Sequence, residues 1–155
     1  VVFIDANPES HRTILHNLKL TGFRRQGRVI RAYVNKGLRV AEEQGFRFGG
    51  VFLDPPYDEG WVDKVLRALA HSSLLEPGAW VVAEHSQHEQ GAEAYPPLRL
   101  TDQRHYGTTV LSFYQHQAAE AALNAGQFTL DHSIRRRMDI STSFAAVYKW
   151  WTRWW

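Results

Sequence analysis

The sequence predicts an α/β domain with a mostly parallel sheet. Short apolar runs of strand type alternate with segments whose apolar residues recur at helical spacing, the loops between them are short, and an acid directly follows two of the apolar runs. Such alternation indicates parallel strands covered by helices on both faces. In these sheets, ligands bind at the carboxyl ends of the strands. The residues at those ends are therefore the candidate functional residues.

The first strand and the first helix have the clearest signals. Val1–Ile4 is an apolar run of strand type, and Asp5 ends it. Asn7 is a preferred N-cap residue, and Pro8 stands at the favoured first helical position. An amphipathic helix is therefore predicted over residues 8–20.

The remaining elements follow the same alternation. Further strands are predicted over residues 29–33, 50–53, 79–84, 98–104 and 108–115. Further helices are predicted over residues 35–44 and over the segment that carries Val62, Val65, Leu66 and Leu69. Glu76-Pro77-Gly78 is predicted to form a turn. The last two strands are close in sequence, so we expect them to be antiparallel.

Composition indicates one soluble domain followed by an extension. The 155 residues contain no apolar run of transmembrane length and no cysteine, so we expect a cytoplasmic protein with no membrane contact, disulfide or thiolate metal site. Residues 1–117 carry 13 basic and 13 acidic residues, whereas residues 118–155 carry 5 and 3. We expect residues 118–155 to be a non-native or readthrough extension with little order, beginning with a short helix over residues 118–125. The alternative is that its arginines and tryptophans bind single-stranded nucleic acid or a membrane interface.

Asp54-Pro55-Pro56-Tyr57 is the most informative motif. An acid, two prolines and an aromatic residue at the end of a strand make a rigid platform that suits methylation of an exocyclic amine on a nucleic-acid base. The amine is a poor nucleophile because its lone pair is delocalised into the ring, and a carboxylate and a backbone carbonyl can localise that lone pair. The prolines contribute no N–H donors, and Tyr57 can stack on the base. The alternative is an ordinary strand-to-turn junction.

Asp5 is the second candidate, because it ends the first strand just before a helix. A carboxylate at this place can accept both hydroxyl groups of a ribose. The alternative is local capping of the helix that starts at Pro8. Asp54 ends the third strand on the same edge of the predicted sheet, which connects a nucleoside site with a base-amine site.

The chain also resembles a known family over residues 1–117. Five pieces in the right order carry the resemblance: Phe3-Ile4-Asp5, Asn17-Leu18 with Leu20-Thr21-Gly22, Val51 to Tyr57, Leu75 to Val82 with Glu84-His85, and Tyr106-Gly107-Thr108-Thr109. They are similar to the RsmD family of bacterial methyltransferases, which modify guanine N2 in small-subunit ribosomal RNA.

The resemblance implies a Rossmann-like methyltransferase fold, a cofactor, a target and a partner. The cofactor would be S-adenosylmethionine, bound by Asp5, Ala6 and Asp54. The motif Asp54 to Tyr57 would hold the target amine, and the Tyr106-Gly107 hairpin would lie beside it. The partner would be ribosomal RNA or an assembling small ribosomal subunit, recognised by a monomer.

The chain departs from this family in three ways. The first residue is Val rather than Met, and the family's first strand and glycine-rich cofactor loop are expected before it. The family's N-terminal segment, which is rich in RNA contacts, is expected there as well. Ala32-Tyr33 stand where the family often has an acid. Without the first strand, the strand that ends at Asp54 is expected to have an unpaired edge, which is an aggregation hazard. We hypothesise that the complete protein is active and that this chain is not, because half of the cofactor pocket is missing.

Two other clusters have weaker signals. Arg24, Arg25, Arg28 and Arg31 surround the start of the second predicted strand, where they either contact RNA phosphates or form a solvated loop. His85 and His88 lack a third metal ligand at a recognisable spacing, so no metal site is predicted.

Two alternatives to ribosomal RNA methylation stay open. The Asp-Pro-Pro-Tyr motif also serves DNA adenine amino-methyltransferases. A non-catalytic Rossmann-like fragment that never engages the cofactor is the alternative from another class.

Overall fold

The computed structural model describes residues 1–89, 91–117 and 144–148. This part of the chain contains three helices and eight strands, which follow one another in this order: β1 (Val2–Asp5), α1 (Pro8–Leu20), β2 (Arg28–Arg31), α2 (Val34–Glu43), β3 (Phe48–Asp54), α3 (Trp61–Ala70), β4 (Leu75–Ser86), β5 (Ala94–Tyr95), β6 (Leu98–Tyr106), β7 (Thr109–His116) and β8 (Phe144–Tyr148).

The eight strands form one sheet in the order β2-β1-β8-β3-β4-β7-β6-β5. The first five of these are parallel to one another, and antiparallel pairings add the last three. The crossover through α1 runs toward one end of the sheet, whereas those through α2 and α3 run toward the other. Right-handed crossovers therefore place α1 on one face and α2 and α3 on the opposite face. The predicted Rossmann-like, mostly parallel α/β fold is confirmed.

Local signals explain the first helix. The Asn7 side chain accepts hydrogen bonds from the backbone N–H groups of Glu9 and Ser10, at 2.7 and 3.4 Å. Pro8 is the first helical residue, as predicted. These contacts satisfy donors that every helix N-terminus leaves free, so the helix begins where the sequence indicates.

The core lies between the sheet and the two helices that cover one of its faces, α2 and α3. Val51 and Leu53 of β3 are buried, and so are the four apolar residues of α3 that the sequence analysis singled out. α2 approaches β1 closely, because a Cβ atom at Gly37 would clash with Cγ2 of Ile4. Glycine at this position therefore sets the distance between helix and sheet.

Three local predictions need correction. β2 ends at Arg31 rather than at residue 33, because Tyr33 is the N-cap of α2. Glu76-Pro77-Gly78 is not a separate turn but part of β4, where it forms an irregularity. The β3–β4 register passes from the pair Phe48–Leu75 to the pair Gly50–Trp80, so β4 carries extra residues there. The short strand β5 was not predicted.

The prediction of an unpaired edge beside β3 is wrong. β8 lies between β1 and β3 and pairs in parallel with both. β7 is antiparallel to β4, so the chain leaves β7 at the amino-terminal ends of the parallel strands, which is where β8 begins. Ala145 of β8 is buried in the core. Part of the C-terminal extension is thus a central strand, while the helix predicted over residues 118–125 lies outside the described residues.

Candidate functional site

Asp5 and Asp54 lie at the same edge of the sheet, on either side of β8. In the two ladders Ile4 pairs with Val147 and Asp54 pairs with Tyr148, so both acids are level with the backbone of Tyr148. Strands are spaced by about 4.8 Å, which puts the two acid backbones roughly 10 Å apart. The chain leaves β1 toward one face of the sheet and β3 toward the other. This is the switch point at which open α/β sheets bind ligands.

The Asp5 carboxylate has one engaged oxygen and one without a partner. Its side chain is buried, with 8% exposure. Oδ1 accepts the backbone N–H of Asn7 at 2.7 Å, whereas Oδ2 has no hydrogen-bond partner among the described residues. Asn7 is the N-cap of α1, and Asp5 stabilises the turn that leads into this helix by accepting the Asn7 N–H. Only one of the two Asp5 oxygens takes part in this contact. The other oxygen remains a candidate acceptor for a ligand, and the half-buried Ala6 follows it.

The Asp54 to Tyr57 motif crosses from β3 into the loop before α3. Asp54, Pro56 and Tyr57 are half-buried and Pro55 is buried. Pro55 and Pro56 remove two backbone donors, so this stretch offers carbonyl and carboxylate acceptors. The motif therefore presents acceptors to a ligand at the edge of the sheet.

Tyr57 is held by a contact that the sequence analysis did not anticipate. Its hydroxyl donates a hydrogen bond to Oε1 of Glu84 at 2.6 Å. Burial, together with the hydrogen bond to Glu84 and the charges of Glu84 and Asp54, raises the pKa of Tyr57. A hydrogen bond from the Thr109 side chain acts in the opposite direction on that pKa. Tyr57 is therefore a neutral donor at physiological pH.

A second carboxylate anchors the next residue of the loop. The Asp58 backbone N–H donates to Oε2 of Glu89 at 2.8 Å, and Asp58 has a φ of 59°. That φ lies in the left-handed region, which costs free energy for a residue other than glycine. Glu84 and Glu89 thus fix the loop at two successive points. Sequence reasoning missed both roles, although Glu84 stood within a predicted strand next to β3.

The predicted hairpin lies beside this loop. β6 and β7 are joined by a two-residue turn in which Gly107 has a φ of 61°, as a tight hairpin requires. Thr109, the first residue of β7, pairs with Ser86 and reaches Tyr57. Tyr106 at the end of β6 is 59% exposed. The hairpin thus brings one hydroxyl to Tyr57 and presents one aromatic ring to solvent.

His85 belongs to a buried hydrogen-bond chain rather than to a metal site. Its Nδ1 donates to the carbonyl of Ser86 at 2.8 Å, and its Nε2 accepts the Ser112 hydroxyl at 2.7 Å. Nε2 of Gln103 donates to the same Ser112 oxygen at 2.8 Å. In the described part of the chain, no three His, Asp or Glu residues are grouped so as to hold a metal ion. The chain of bonds ties β4 to β7 and β6 beneath the hairpin.

The basic cluster does not lie with the two acids. Arg24, Arg25 and Arg28 line an open cleft of about 670 Å³ at the amino-terminal edge of the sheet, together with His11 and Phe46. Arg31, by contrast, is at the carboxyl end of β2, paired with Asp5. The structure therefore separates the first three arginines from Asp54 by the length of the strands.

Comparisons with solved structures define the class of fold. A conserved hypothetical protein of Streptococcus pyogenes has a TM-score of 0.65 at 24% identity, over 75% of this chain and 71% of that one. Hypothetical protein TTHA0928 of Thermus thermophilus has a TM-score of 0.59 at 29% identity, over 72% and 60%. An RNA methyltransferase of Salinibacter ruber in complex with S-adenosyl-L-homocysteine has a TM-score of 0.50 at 15% identity, over 84% and 69%. The fold is that of the S-adenosylmethionine-dependent methyltransferases.

The sequence then identifies the family. The family described as Conserved hypothetical protein 95, which is RsmD-like, matches residues 1–115. The chain belongs to this family, as the resemblance predicted. The protein named "Putative rRNA methyltransferase YlbH" of Bacillus subtilis strain 168 is 29% identical over 114 residues. That match covers 74% of this chain and 62% of the relative, so the chain spans less than two thirds of the relative's length. Among the described residues, no helix has the length and apolar character to cross a membrane.

Proposed function

We propose that the protein transfers the methyl group of S-adenosylmethionine to an exocyclic amine of a base in ribosomal RNA. The observation that carries this proposal is the placement of Asp54 and the fixed Tyr57 at the switch-point edge, across β8 from the half-engaged carboxylate of Asp5. Family membership supports the same reaction class, since the curated relative is named as an rRNA methyltransferase.

The residues that are present fit the cofactor at one end of its site. Oδ2 of Asp5 is buried and has no hydrogen-bond partner among the described residues, and a buried acceptor of this kind needs a donor. Ribose hydroxyls are such donors, so Asp5 would hold the ribose, with Ala6 and Asp54 lining the same edge. When bound, the cofactor supplies an electrophilic methyl group on a sulfonium. The side chains and backbone of the protein would bind and orient the target amine and make it nucleophilic.

The proposed role of Asp54 is to make the target amine nucleophilic. Its carboxylate and a backbone carbonyl of the proline pair accept the two N–H bonds, which localises the nitrogen lone pair toward the methyl group. The carboxylate interaction strengthens as the amine becomes cationic. Tyr57 stacks on the base and holds the nitrogen in line with the methyl group. Because the displacement is in-line, alignment alone can supply roughly 7–11 kcal/mol of the barrier.

The finer substrate proposal is N2 of a guanine in small-subunit ribosomal RNA. The partner would then be free RNA or an assembling small subunit, met in the cytoplasm by a monomeric enzyme. Arg24, Arg25 and Arg28 would contact phosphates remote from the target base, because they line the opposite edge of the sheet. Phosphate contacts of this kind contribute affinity without sequence preference. A DNA adenine target is less favoured, since the curated relative is named for ribosomal RNA.

The test is methyl transfer from labelled S-adenosylmethionine by the full-length protein. Unmodified small-subunit RNA, assembled subunits and duplex DNA are offered in parallel, and the labelled nucleoside is identified after digestion. We expect label in N2-methylguanine from the ribosomal substrates. Label in N6-methyladenine from DNA would support the alternative of a DNA adenine amino-methyltransferase instead. No transfer to any of the three substrates would overturn the proposal.

A further inference from the structure

We infer that Glu84 is a positioning residue for the proposed methyl transfer, because its carboxylate holds the ring of Tyr57 in the orientation that stacks on the target base. This inference rests on the proposed function and adds a residue to it. Glu84 is 27 residues from Tyr57 in sequence and lies on the neighbouring strand, β4.

The contact has the geometry of a strong hydrogen bond. The distance between the Tyr57 hydroxyl and Oε1 of Glu84 is 2.6 Å, in a partly buried setting. Hydrogen bonds from a hydroxyl to a carboxylate fall at about 2.5–2.7 Å and are about twice as strong as neutral ones. A tyrosine ring is oriented by only two side-chain torsions. The bond anchors the far end of the ring, and because a phenol O–H prefers to lie in the plane of its ring, the direction to Oε1 of Glu84 also favours one ring plane.

Glu84 is itself held on a rigid support. It pairs with Leu111 in the β4–β7 ladder, and the next residue, His85, is 1% exposed and bonded on both ring nitrogens. From the β7 side, the Thr109 side chain bonds to the Tyr57 hydroxyl. The tip of the ring is thus held by groups from two paired strands, and its orientation exists before any substrate binds.

The competing explanation is that Glu84 only stabilises the loop. Glu84→Gln and Tyr57→Phe separate the two explanations, since both remove the charge-assisted bond while keeping the side-chain shape and the ring. If Glu84 acts through Tyr57, each variant lowers kcat on the order of 10-fold to 10²-fold through misalignment. The double variant then lowers kcat by no more than the larger single effect. KM for S-adenosylmethionine stays unchanged, because that cofactor binds at Asp5.

The closing experiment is this double-variant cycle in the full-length protein, with Glu93→Gln as the matched control at an exposed acid. A spectrophotometric titration follows Tyr57 as the difference between the wild type and Tyr57→Phe. In Glu84→Gln we expect the Tyr57 titration to move toward lower pH, while thermal unfolding shows that the fold is intact.

The outcomes are distinct. If the wild type is active and the effects of the two single variants on kcat multiply in the double variant, this inference alone is overturned. The same holds if Glu84→Gln reacts at the wild-type rate. A wild type that transfers no methyl group to RNA overturns the proposed function and this inference with it.

Discussion

Asp54 of β3 is paired in register with Tyr148 of β8, so the C-terminal segment forms part of the sheet edge that carries the candidate site. Within the described residues, β8 joins the β1–β2 pair to the other five strands. Without it, β1 and β3 would both present unpaired backbone groups at the centre of the fold. The position of Asp5 relative to Asp54 therefore depends on this strand.

Placing a charge in β8 is expected to destabilise the protein. Ala145 is 1% exposed and belongs to the hydrophobic core, so Ala145→Asp places a carboxylate among buried apolar side chains. An uncompensated buried charge costs about 3–5 kcal/mol of unfolding free energy. Urea denaturation measures the change, with Ala94→Asp on the exposed edge strand β5 as the control. Equal midpoints for the two variants would show that β8 does not pack in solution.

Replacement of the Asp5 carboxylate by an amide is expected to weaken cofactor binding. Asp5→Asn can keep the bond to the Asn7 N–H, but its amide nitrogen cannot accept a ribose hydroxyl. A hydrogen bond to a charged group is worth about 1.5–3 kcal/mol, or about 10- to 150-fold in affinity. Calorimetric titration with S-adenosylmethionine checks this, with Glu9→Gln on the exposed first turn of α1 as control. Wild-type affinity in Asp5→Asn would remove Asp5 from the site.

Removal of the Asp54 carboxylate is expected to slow the reaction rather than to abolish cofactor binding. By analogy with the loss of one preorganised hydrogen-bonding group, Asp54→Ala in the full-length protein should lower kcat on the order of 10²–10³-fold. Single-turnover methyl transfer to ribosomal RNA measures the effect. The control is Asp102→Ala, an exposed acid on β6. A rate near that of the wild type would exclude Asp54 from the mechanism.

Gly37→Ala tests the close approach of α2 to the sheet. Alanine is intrinsically better than glycine in a helix by about 1 kcal/mol. The added Cβ would nevertheless clash with Cγ2 of the buried Ile4. Overpacking of this kind costs about 1–3 kcal/mol, so we expect net destabilisation in thermal unfolding. Asn35→Ala, at an exposed position of the same helix, should be neutral or stabilising. An increase in the midpoint for Gly37→Ala would contradict the observed packing.

Stability is expected to fall above about pH 10. Burial, followed by the charges of Tyr95 and Asp63, raises the pKa of Tyr114 above its ordinary value of 10.0. A group whose pKa is raised by folding contributes stability that is fully present below the unfolded pKa. That contribution is lost as the pH rises through the folded pKa. The unfolding free energy of the wild type should therefore decline between about pH 10 and 12, within the reach of urea titrations.

Tyr114→Phe isolates this effect. The variant also loses the hydrogen bond from the hydroxyl to the Ala92 carbonyl, so its stability at neutral pH is lower. The relevant quantity is therefore the slope of the unfolding free energy against pH. In Tyr114→Phe this slope should be shallower than in the wild type. Identical slopes for the wild type and Tyr114→Phe would show that Tyr114 is not the group that titrates.

Local sequence signals were sufficient for much of the fold. The N-cap at Asn7, the proline after it and the helical spacing of the apolar residues in α3 act over a few residues, so the pattern alone predicted these elements. The alternation of strands and helices predicted a mostly parallel sheet. From that sheet alone it followed that Asp5 and Asp54 share the carboxyl edge, because parallel strands end on the same side.

Only the tertiary structure decided which distant segments meet. Nothing in the local pattern around residues 144–148 specifies that β8 enters between β1 and β3, because strand pairing depends on partners that are remote in sequence. The contact between Glu84 and Tyr57 has the same origin, since the β3–β4 register brings the two side chains together. The separation of Arg24, Arg25 and Arg28 from the acids also follows from strand direction rather than from sequence proximity. Local periodicity predicted the helices and most of the strands of this protein, and long-range pairing assembled its site.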